Sequence, residues 1–443
     1  MRVTIVGGGL AGSEAAWQCA ERGLAVDLYE MRPARPTGAH VSDKLGELVC
    51  SNSLGSQLED RASGILMHEM DHLGSLLLAI ARSHAVPAGS ALAVDREGFS
   101  QSVTKRLERH PRIKIHRREV QSLPEGPAVI ATGPLTSEAM AQALASLTGE
   151  EHLYFYDALA PIVEADSINM DIAFRASRYG RGELEQGDYI NCPLTEDEYM
   201  DFMAALLEAE RIPLREFERV IEQGVRAGMH RYFEGCLPVE VIAERGRKAL
   251  AYGPMRPVGL SDPRRDDKPY AVLQLRQDNL SGELYNMVGF QTNLRYPDQR
   301  RVFRMIPGLE EAVFARYGQM HRNTFINAPR VLNPTLEVRN KPGLFLAGQI
   351  TGVEGYLGNI ATGLLAGMNL ARHCQGSSLT VMPRETMLGS LLHYISHSEA
   401  EQFQPMKANL GILPDLGQPR PRQRRDRAVA YAARARAVLA HKG

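Results

Sequence analysis

The first thirty residues alternate between apolar runs and a glycine-rich stretch in a regular order. Residues 3–6 form a short apolar run, 7–12 are rich in glycine, and 13–22 carry apolar residues at helical spacing. Residues 25–30 form a second apolar run that ends in a glutamate. The change from period 2 to period 3.6 and back predicts a strand, a tight turn, a helix and a second strand.

The glycines fit the G-x-G-x-x-G spacing at Gly7, Gly9 and Gly12, and Glu30 follows eighteen residues after the last of them. In this pattern the glycines permit a tight turn, close approach to a pyrophosphate and close packing of the helix. The helix N-terminus offers N–H groups to phosphates, and the acidic residue accepts from a ribose. The pattern predicts dinucleotide binding rather than an ordinary βα turn, and it leaves FAD and NAD open. The predicted contacts are Gly7, Gly8, Gly9, Leu10, Ala11, Gly12 and Glu30.

After residue 30 the pattern predicts further helices and strands separated by loops. A segment rich in Pro, Gly, Ser and Asn predicts a long loop over the nucleotide, and a buried strand ending in small residues predicts a turn at Thr132 and Gly133 that meets the cofactor. The predicted elements are a loop at 31–56, helices at 57–84 and 99–110, and strands at 113–120 and 128–134.

A second block with glycines follows late in the chain, as a strand and turn at 343–349 and a helix at 360–371. It resembles the later flavin-contacting motif of the glutathione-reductase-like flavoproteins, in which a helix N-terminus faces the isoalloxazine. Two blocks in this order favour FAD over NAD. Glu354 and Tyr356 border the helix and are expected to contact flavin or pterin, although Tyr356 also fits ordinary packing. The predicted contacts are Gly348, Gln349, Glu354 and Tyr356.

Between the two blocks the pattern changes near Tyr154 and returns near Phe325. A chain of 443 residues is long enough for two domains. We therefore expect an α/β protein whose Rossmann-like FAD-binding domain is discontinuous, at 1–150 and 325–443. An inserted α+β domain at 151–324 interrupts it. Its predicted elements are strands at 160–163, 270–275 and 284–290 and a helix at 196–211.

Composition adds three constraints. No apolar run approaches the ~20 residues of a membrane span, and the five cysteines contain no C-x-x-C pair, which argues against structural zinc and predicts no metal site. An odd number of scattered cysteines fits a reducing cytoplasm. With a net charge of −1, the chain as a whole does not attract nucleic acid electrostatically.

The charge is nevertheless uneven. Residues 414–443 carry seven Arg and one Lys against two Asp, and the whole chain has 43 Arg against 8 Lys. Arginine suits bidentate phosphate contact, but GC-rich coding gives the same bias. The tail therefore fits RNA binding and also a solvated terminal helix at 424–441.

Five longer blocks carry a more specific resemblance. The chain closely resembles the folate- and FAD-dependent tRNA uracil-5 methyltransferases of bacteria from Val3 to about Leu413. The larger tRNA wobble-uridine flavoproteins share the first and last blocks, but they carry C-terminal segments absent here and lack the block around Cys236. The role of the basic tail stays open. The matching blocks lie at 47–54, 87–96, 232–240, 320–327 and 346–356.

The resemblance implies a reaction. The carbon donor is 5,10-methylenetetrahydrofolate, the reductant is FAD recharged by NADH or NADPH, and the product is 5-methyluridine at uridine 54 in the T loop of tRNA. The inserted domain would then hold tRNA and folate. It implies a cytoplasmic enzyme that binds the T arm of tRNA, with no membrane and no stable protein partner.

Uracil C5 is a poor nucleophile, and addition of a thiolate at C6 activates it. Cys236 is our candidate nucleophile, because it lies in a turn-like setting with basic residues close in sequence. The alternative is a small buried residue. Cys50, in the loop predicted to cover the flavin, is expected to act as base, as protector of the flavin or as alternative nucleophile. Cys192 is expected to be structural, and Cys19 to face the sheet from the first helix.

Several polar residues complete the candidates. His321, Arg322 and Asn323 predict a polar loop near substrate, or else a loop held only by its own hydrogen bonds. Arg276 and Gln277 are candidates for a folate glutamate or an RNA phosphate. Two other functions compete with the methyltransferase: a flavin oxidoreductase acting on a small molecule, and a non-catalytic flavin-bound tRNA-binding factor.

Overall fold

The computed structural model describes residues 1–149, 153–212, 237–262, 264, 268–417, 421 and 423–440. The strands in these ranges are β1 (Arg2–Val6), β2 (Ala25–Glu30), β3 (Ser53–Ser56), β4 (Ala85–Val86), β5 (Ala91–Val94), β6 (Ile113–Arg117), β7 (Ala128–Ile130), β8 (Leu153–Ala158), β9 (Ile162–Glu164), β10 (Phe174–Ala176), β11 (Tyr189–Leu194), β12 (Ala271–Gln277), β13 (Leu284–Met287), β14 (Phe314–Arg316), β15 (Met320–Phe325), β16 (Leu344–Leu346), β17 (Val353–Glu354) and β18 (Met406–Lys407).

The α-helices in the same ranges include those predicted, with bounds that differ by a few residues at their ends, except that the helix predicted at 57–84 is divided into two. They are α1 (Leu10–Glu21), α2 (Ala62–His72), α3 (Leu76–Ser83), α4 (Arg96–Glu108), α5 (Glu138–Thr148), α6 (Glu196–Glu208), α7 (Val239–Ala243), α8 (Ala249–Tyr252), α9 (Tyr296–Phe303), α10 (Ala328–Val331), α11 (Tyr356–Cys374), α12 (Met387–His397) and α13 (Arg424–Ala440).

The first sheet is parallel and has the strand order β16-β7-β1-β2-β6. Strand β1 pairs with β2 on one side and with β7 on the other, so the strand order reverses beside β1. Ligands of such sheets bind outside the carboxyl ends of the strands at this switch point. Strand β16 completes the sheet from late in the chain and brings the two glycine blocks to one edge. The predicted α/β class is confirmed.

The second sheet is antiparallel, with the order β10-β11-β12-β13-β9-β14, and β8 pairs with β15 in a separate ribbon. Buried apolar side chains form two large cores. One core draws on residues 3–144 and 325–439, and the other on 163–312. The domain boundaries at 150 and 325 stay a prediction.

Helices α1 and α11 pack closely because small residues face each other. A Cβ at Gly363 would overlap the backbone of Ala11, and one at Gly367 would lie 2.6 Å from the carbonyl oxygen of Ala15. Cys19, which the sequence predicts to face the sheet, is buried in the core that includes the sheet strands and donates to the carbonyl oxygen of Gly367 on α11.

The predicted helix at 57–84 divides into two. Helix α3 begins at Leu76 after Ser75, whose Oγ accepts from the N–H of Leu78. The buried carboxylate of Glu14 accepts from the N–H groups of Leu76 and Leu77. A side chain from α1 therefore fixes the start of α3, since the first N–H groups of a helix lack intrahelical partners.

Glu69 caps α12 in the same way. Its carboxylate is fully buried and accepts from the N–H groups of Met387 at 2.6 Å and Leu388 at 2.9 Å. Burial raises the pKa of Glu69 to about 7, against the opposing effect of these two hydrogen bonds. The folded protein therefore holds more protons than the unfolded chain between the ordinary glutamate pKa and pH 7, and stability falls as pH rises through that window.

We expect Glu69→Gln to remove this pH dependence. Between pH 5 and pH 8 the free energy of unfolding of the native chain should fall relative to the variant by about 2–3 kcal/mol. Urea unfolding at both pH values measures the difference. Parallel losses in the two proteins would show that Glu69 does not titrate in this window.

Candidate active site

The glycine turn has the geometry that its sequence predicts. Gly7 has φ +103°, in the region that favours glycine, and a Cβ there would overlap the carbonyl of Ala131. A Cβ at Gly12 would overlap the carbonyl oxygen of Gly7, so this glycine lets α1 pack against the turn. A Cβ at Gly9 would meet nothing within 4 Å. Gly9 therefore faces open space at the N-terminus of α1, where no side chain caps the helix.

Glu30 closes the turn from the end of β2. Its Oε2 accepts from the N–H of Gly8 at 3.0 Å, and its Oε1 accepts from the N–H and Nε of Arg32 at 3.0 and 2.9 Å. Burial alone would raise the pKa of Glu30, but the hydrogen bonds and charge of Arg32 hold it below the ordinary value. Because each carboxylate oxygen has two lone pairs, Glu30 keeps capacity for a ribose hydroxyl.

Arg32 also orders the loop that covers this crevice. Its Nη1 donates to Glu47 at 2.9 Å and to the carbonyl oxygen of Ser42, and its Nη2 donates to that of Lys44. A guanidinium bonded on all sides is fixed in position. The predicted loop over the nucleotide is thus tied to the same carboxylate that ends β2.

A crevice of about 130 Å³ opens at the carboxyl ends of β1, β2 and β7. Three residues predicted to contact the cofactor do not line it: Gly8 turns towards Leu45 and Glu30, Gly12 packs on Gly7, and Glu354 lines a neighbouring cavity instead. The predicted residues that do line it are Gly7, Gly9, Leu10, Ala11, Glu30, Thr132, Gly133, Gly348, Gln349 and Tyr356.

A second cavity of about 300 Å³ adjoins the crevice and lies between the two sheets. Gln349, Tyr356 and Asn359 line both spaces, so a flat group in the crevice would extend to the cavity wall. We call this space the substrate cavity. Its polar lining includes Cys50, Ser51, Arg276, Asn286, Asn323, Gln349, Glu354, Tyr356 and Lys407.

Tyr356 fixes the position of Cys50. The Tyr356 hydroxyl oxygen accepts from the N–H of Cys50 at 2.7 Å and from the N–H of Ser51 at 3.1 Å. Tyr356 is the first residue of α11, so the helix N-terminus and the Cys50 loop meet at one point. The interpretation of Tyr356 as ordinary packing therefore misses its polar contacts.

We expect Tyr356→Phe to leave the fold intact and to loosen the Cys50 loop. The variant leaves two partly buried N–H groups without their acceptor, which costs about 1–3 kcal/mol locally. Thiol-specific labelling should then reach Cys50 several times faster than in the native chain. Cys374, half-buried at the end of α11, is the internal control. Equal labelling rates at Cys50 would contradict the anchoring.

Two arginines with little solvent exposure lie near Cys50: Arg276 lines the substrate cavity, and Arg96 lies behind the Cys50 loop. Arg96 forms a two-fold ion pair with Asp278 and donates to the carbonyl oxygens of Leu48 and Cys50. Arg276 donates through Nε to Asn52 Oδ1 at 2.8 Å, and burial lowers its pKa. Among the described residues Arg276 has no ion-pair partner. Its remaining N–H groups can therefore serve an anion or a developing negative charge in the cavity.

Four buried asparagines lack a hydrogen-bond partner on one amide atom within the described part of the chain, and three of them line the substrate cavity. The atoms of these three are Asn286 Nδ2, Asn323 Nδ2 and Asn359 Oδ1. Buried polar groups in native structures are normally satisfied. The atoms therefore fit a ligand that offers both acceptors and donors, as flavin, pterin and uracil rings do, and the open space at Gly9 fits a pyrophosphate.

The cysteines separate by position. Cys50 lines the substrate cavity and Cys374 lies at the end of α11. Cys19 and Cys192 are fully buried, and burial raises the pKa of both thiols. Cys236 lies outside the described residues. Of the described cysteines, Cys50 alone meets the cavity.

The polar segment near Phe325 is a strand, which corrects the predicted loop. His321, Arg322 and Asn323 belong to β15, where they pair with Asp157, Tyr156 and Phe155 of β8. Pairing with a strand distant in sequence supplies this conformation, which the polar composition conceals. The side chains of His321 and Arg322 lie outside the description. Asn323 is buried and lines the cavity.

Sequence reasoning missed several residues of this site. Asn359 lies three positions after Tyr356, so helical spacing places the two on one face, and that signal was available. Arg96 and Asn52 lie inside blocks that carry the resemblance. Nothing in the sequence marks Asn286 as a site residue, because a single polar residue in a strand is common.

Neither a metal site nor a membrane span is evident in the described ranges. No group of three or more His, Cys, Asp and Glu side chains there is placed to hold a metal ion. None of the helices described is both long and apolar enough to cross a bilayer.

Known proteins resemble the chain over its whole length. The family model described as glucose inhibited division protein A matches residues 2–378. A protein of Bacillus pumilus (strain SAFR-032) named methylenetetrahydrofolate–tRNA-(uracil-5-)-methyltransferase TrmFO is 54% identical over 433 residues, covering 98% of this chain and 96% of its own. The protein of the same name from Exiguobacterium sp. (strain ATCC BAA-1283 / AT1b) is 52% identical over 435 residues, with coverage of 98% and 97%.

Solved structures extend the comparison to the fold. Aquifex aeolicus GidA superposes in two crystal forms with TM-scores of 0.66 and 0.65, at 17% and 18% identity. The superpositions cover 99% of this chain and 73% and 76% of those chains, and at this identity they bear on the fold alone. The predicted Rossmann-like FAD-binding fold is confirmed. On this similarity the chain belongs to the glucose inhibited division protein A family and, within it, to the methylenetetrahydrofolate–tRNA-(uracil-5-)-methyltransferases.

Proposed function

We propose that this chain transfers the one-carbon unit of 5,10-methylenetetrahydrofolate to C5 of uridine 54 in the T loop of tRNA, with FAD as bound cofactor and NADH or NADPH as reductant. One observation carries the proposal: a cavity lined by a cysteine, by a buried arginine without an ion pair in the described ranges, and by three amides with an atom left unsatisfied there, adjoins a dinucleotide crevice. The relatives' names supply the substrate class. Because tRNA and folate are substrates of the cytoplasm, we place the reaction there.

The crevice residues are proposed to hold FAD. The N-terminus of α1 and the open backbone at Gly9 would take the pyrophosphate, and Glu30 would take the ribose. Thr132, Gly133, Gly348 and Gln349 would line the path towards the isoalloxazine. When bound and reduced, FAD supplies the hydride that completes the methyl group.

The protein must activate uracil before C5 can form a bond. In our proposal the Cys236 thiolate adds to C6, which moves an electron pair through C5 to O4 and creates an enolate. C5 would then bond to the methylene carbon and lose its proton to a base, while both C–N bonds between folate and that carbon break and tetrahydrofolate leaves. A hydride added to the resulting exocyclic methylene would complete the methyl group, expel the Cys236 thiolate from C6 and restore the aromatic ring. Cys50, which lines the cavity, would act as that base or protect the flavin.

The negative charge that develops on O4 of uracil is the main electrostatic demand of these reaction steps. The N–H groups of Arg276 beyond Nε and the Nδ2 atoms of Asn286 and Asn323 are buried cavity donors that could serve it. Donors fixed in a water-poor site stabilise a developing oxyanion without reorganising. Arg276 also suits the folate glutamate or an RNA phosphate, the two ligands that the sequence suggested.

A pair of transcripts tests the proposed substrate position. With NADPH and methylenetetrahydrofolate, an unmodified tRNA transcript should gain one methyl group, found by mass spectrometry in the fragment that contains uridine 54. A transcript with cytidine at position 54 is the control and should gain none. Methylation elsewhere would overturn the position, and NADPH consumption without any methylation would favour a small-molecule oxidoreductase.

A further inference from the structure

Three arginines and one tyrosine form what we call the arginine–tyrosine strip: Arg178, Tyr179, Arg181 and Arg256. Arg178 donates through Nε to Gln274 Oε1 and through Nη1 to the carbonyl oxygen of Val258, both at 2.7 Å. Gln274 lies two residues before Arg276 on β12, which is about 7 Å along the strand and on the same face of the sheet. Arg181 lines a surface groove that shares Ala408 with the substrate cavity, so the strip lies beside that cavity.

Tyr179 has a backbone that its side chain does not favour. Its φ is +58°, in the left-handed region, where a non-glycine residue costs about 1 kcal/mol or more. Its N–H donates to the carbonyl oxygen of Gly259, and a Cβ on that glycine would lie 2.9 Å from the tyrosine ring. The side chain is nevertheless 65% exposed, so core burial does not offset the strain. Retained strain of this kind concentrates at functional sites.

The charge of the strip is left without anionic partners. Within the described residues, Arg178, Arg181 and Arg256 form no ion pair. The Arg181 guanidinium lies 6.0 Å from the centre of the Tyr179 ring, so a cation and an aromatic face are offered together. Burial and the nearby charge of Arg256 both lower the pKa of Arg178, so an anion here would relieve a repulsion.

The acidic groups around the strip do not neutralise it. Asp188 accepts from the backbone N–H groups of Gly89, Glu183 and Leu184, and its carboxylate thereby holds the loop that follows Arg181. The side chains of Glu183 and Glu185 are exposed in that loop. What the strip lacks is a ligand with anionic groups and flat rings.

We propose that the arginine–tyrosine strip binds the RNA nucleotides that flank the uridine entering the substrate cavity. Arginines of this kind pair with phosphates, and an exposed tyrosine stacks on a base without reading its identity. An enzyme that acts on a base must take that base out of its stack, and a site for the neighbouring nucleotides lowers the cost. The inference rests on the proposed function, which brings tRNA to the cavity.

Two variants test the strip, and a third is their matched control. Tyr179→Gly removes the ring and relieves the left-handed backbone, so its melting temperature should be no lower than that of the native chain. Its Kd for an unmodified tRNA transcript should rise about tenfold. Arg256→Ala should reduce the slope of log K against log salt by about one. Arg300→Ala, an exposed arginine on α9, should change neither quantity.

Filter binding over a salt series measures both effects without requiring methylation. An unchanged Kd for Tyr179→Gly together with an unchanged salt slope for Arg256→Ala would contradict RNA binding by the strip. Equal losses in Arg300→Ala would also overturn it, because binding would then depend on overall charge alone. A native chain that binds tRNA without methylating it would overturn the proposed function instead. The binding results would then still show whether the strip binds RNA.

Discussion

Gly9→Val should fold normally and lose FAD. A Cβ at this position meets nothing within 4 Å in the protein, and the backbone there has φ −71°, which valine adopts without strain. The same open space is where the pyrophosphate would approach the N-terminus of α1. We expect the Kd for FAD to rise at least about a hundredfold, which corresponds to about 3 kcal/mol. Flavin fluorescence titration of the apoprotein measures it.

Gly126→Val is the matched control. A Cβ at Gly126 also meets nothing within 4 Å, so the two variants add the same side chain to equally open space. The control should bind FAD as the native chain does, and both variants should retain the native melting temperature of the apoprotein. Tight FAD binding by Gly9→Val would place the pyrophosphate elsewhere and would remove the main role proposed for the glycine turn.

Cys236→Ala should abolish both covalent capture of RNA and methylation. A tRNA transcript with 5-fluorouridine at position 54 traps the thiolate adduct. The base can remove a hydrogen from C5 as a proton, but it cannot remove fluorine in the same way. We expect the native chain to form a complex that survives denaturing electrophoresis and the variant to form none. Its methylation rate should fall at least about a thousandfold, since the variant has no thiolate to activate C5.

Variants of two other cysteines distinguish the nucleophile from the base or protector. Cys50→Ala should still form the covalent complex but should methylate poorly, because its proposed role is that of base or protector. Cys374→Ala, at the far end of α11, should do both at the native level. A covalent complex that persists in Cys236→Ala and disappears in Cys50→Ala would assign the nucleophile to Cys50 instead.

The glycine turn could be predicted from the sequence because its requirements are local. Gly7 needs a positive φ and Gly12 needs an approach without a Cβ, and both needs arise within ten residues of chain. The same holds for the late block, where β16 joins the first sheet as its strand pattern predicts. Short-range patterns therefore predicted the crevice and ten of the residues that line it.

The substrate cavity depended on long-range contacts. Arg276 is paired in β12 and bonds to Asn52 more than two hundred residues away, and Tyr356 bonds to the N–H of Cys50 across three hundred. Spacing along the chain carries no signal for such pairs. The resemblance placed Cys50 in the site, but the buried asparagines became visible only through their unsatisfied amides.

A carbon from folate should reach uridine in tRNA. The direct measurement is to incubate the purified chain with NADPH, an unmodified tRNA transcript and methylenetetrahydrofolate labelled in its methylene carbon, and then to digest the RNA. We expect label in 5-methyluridine, absent when folate is omitted and absent with Cys236→Ala. Unlabelled RNA from a flavin-loaded chain that oxidises NADPH and binds tRNA would contradict it.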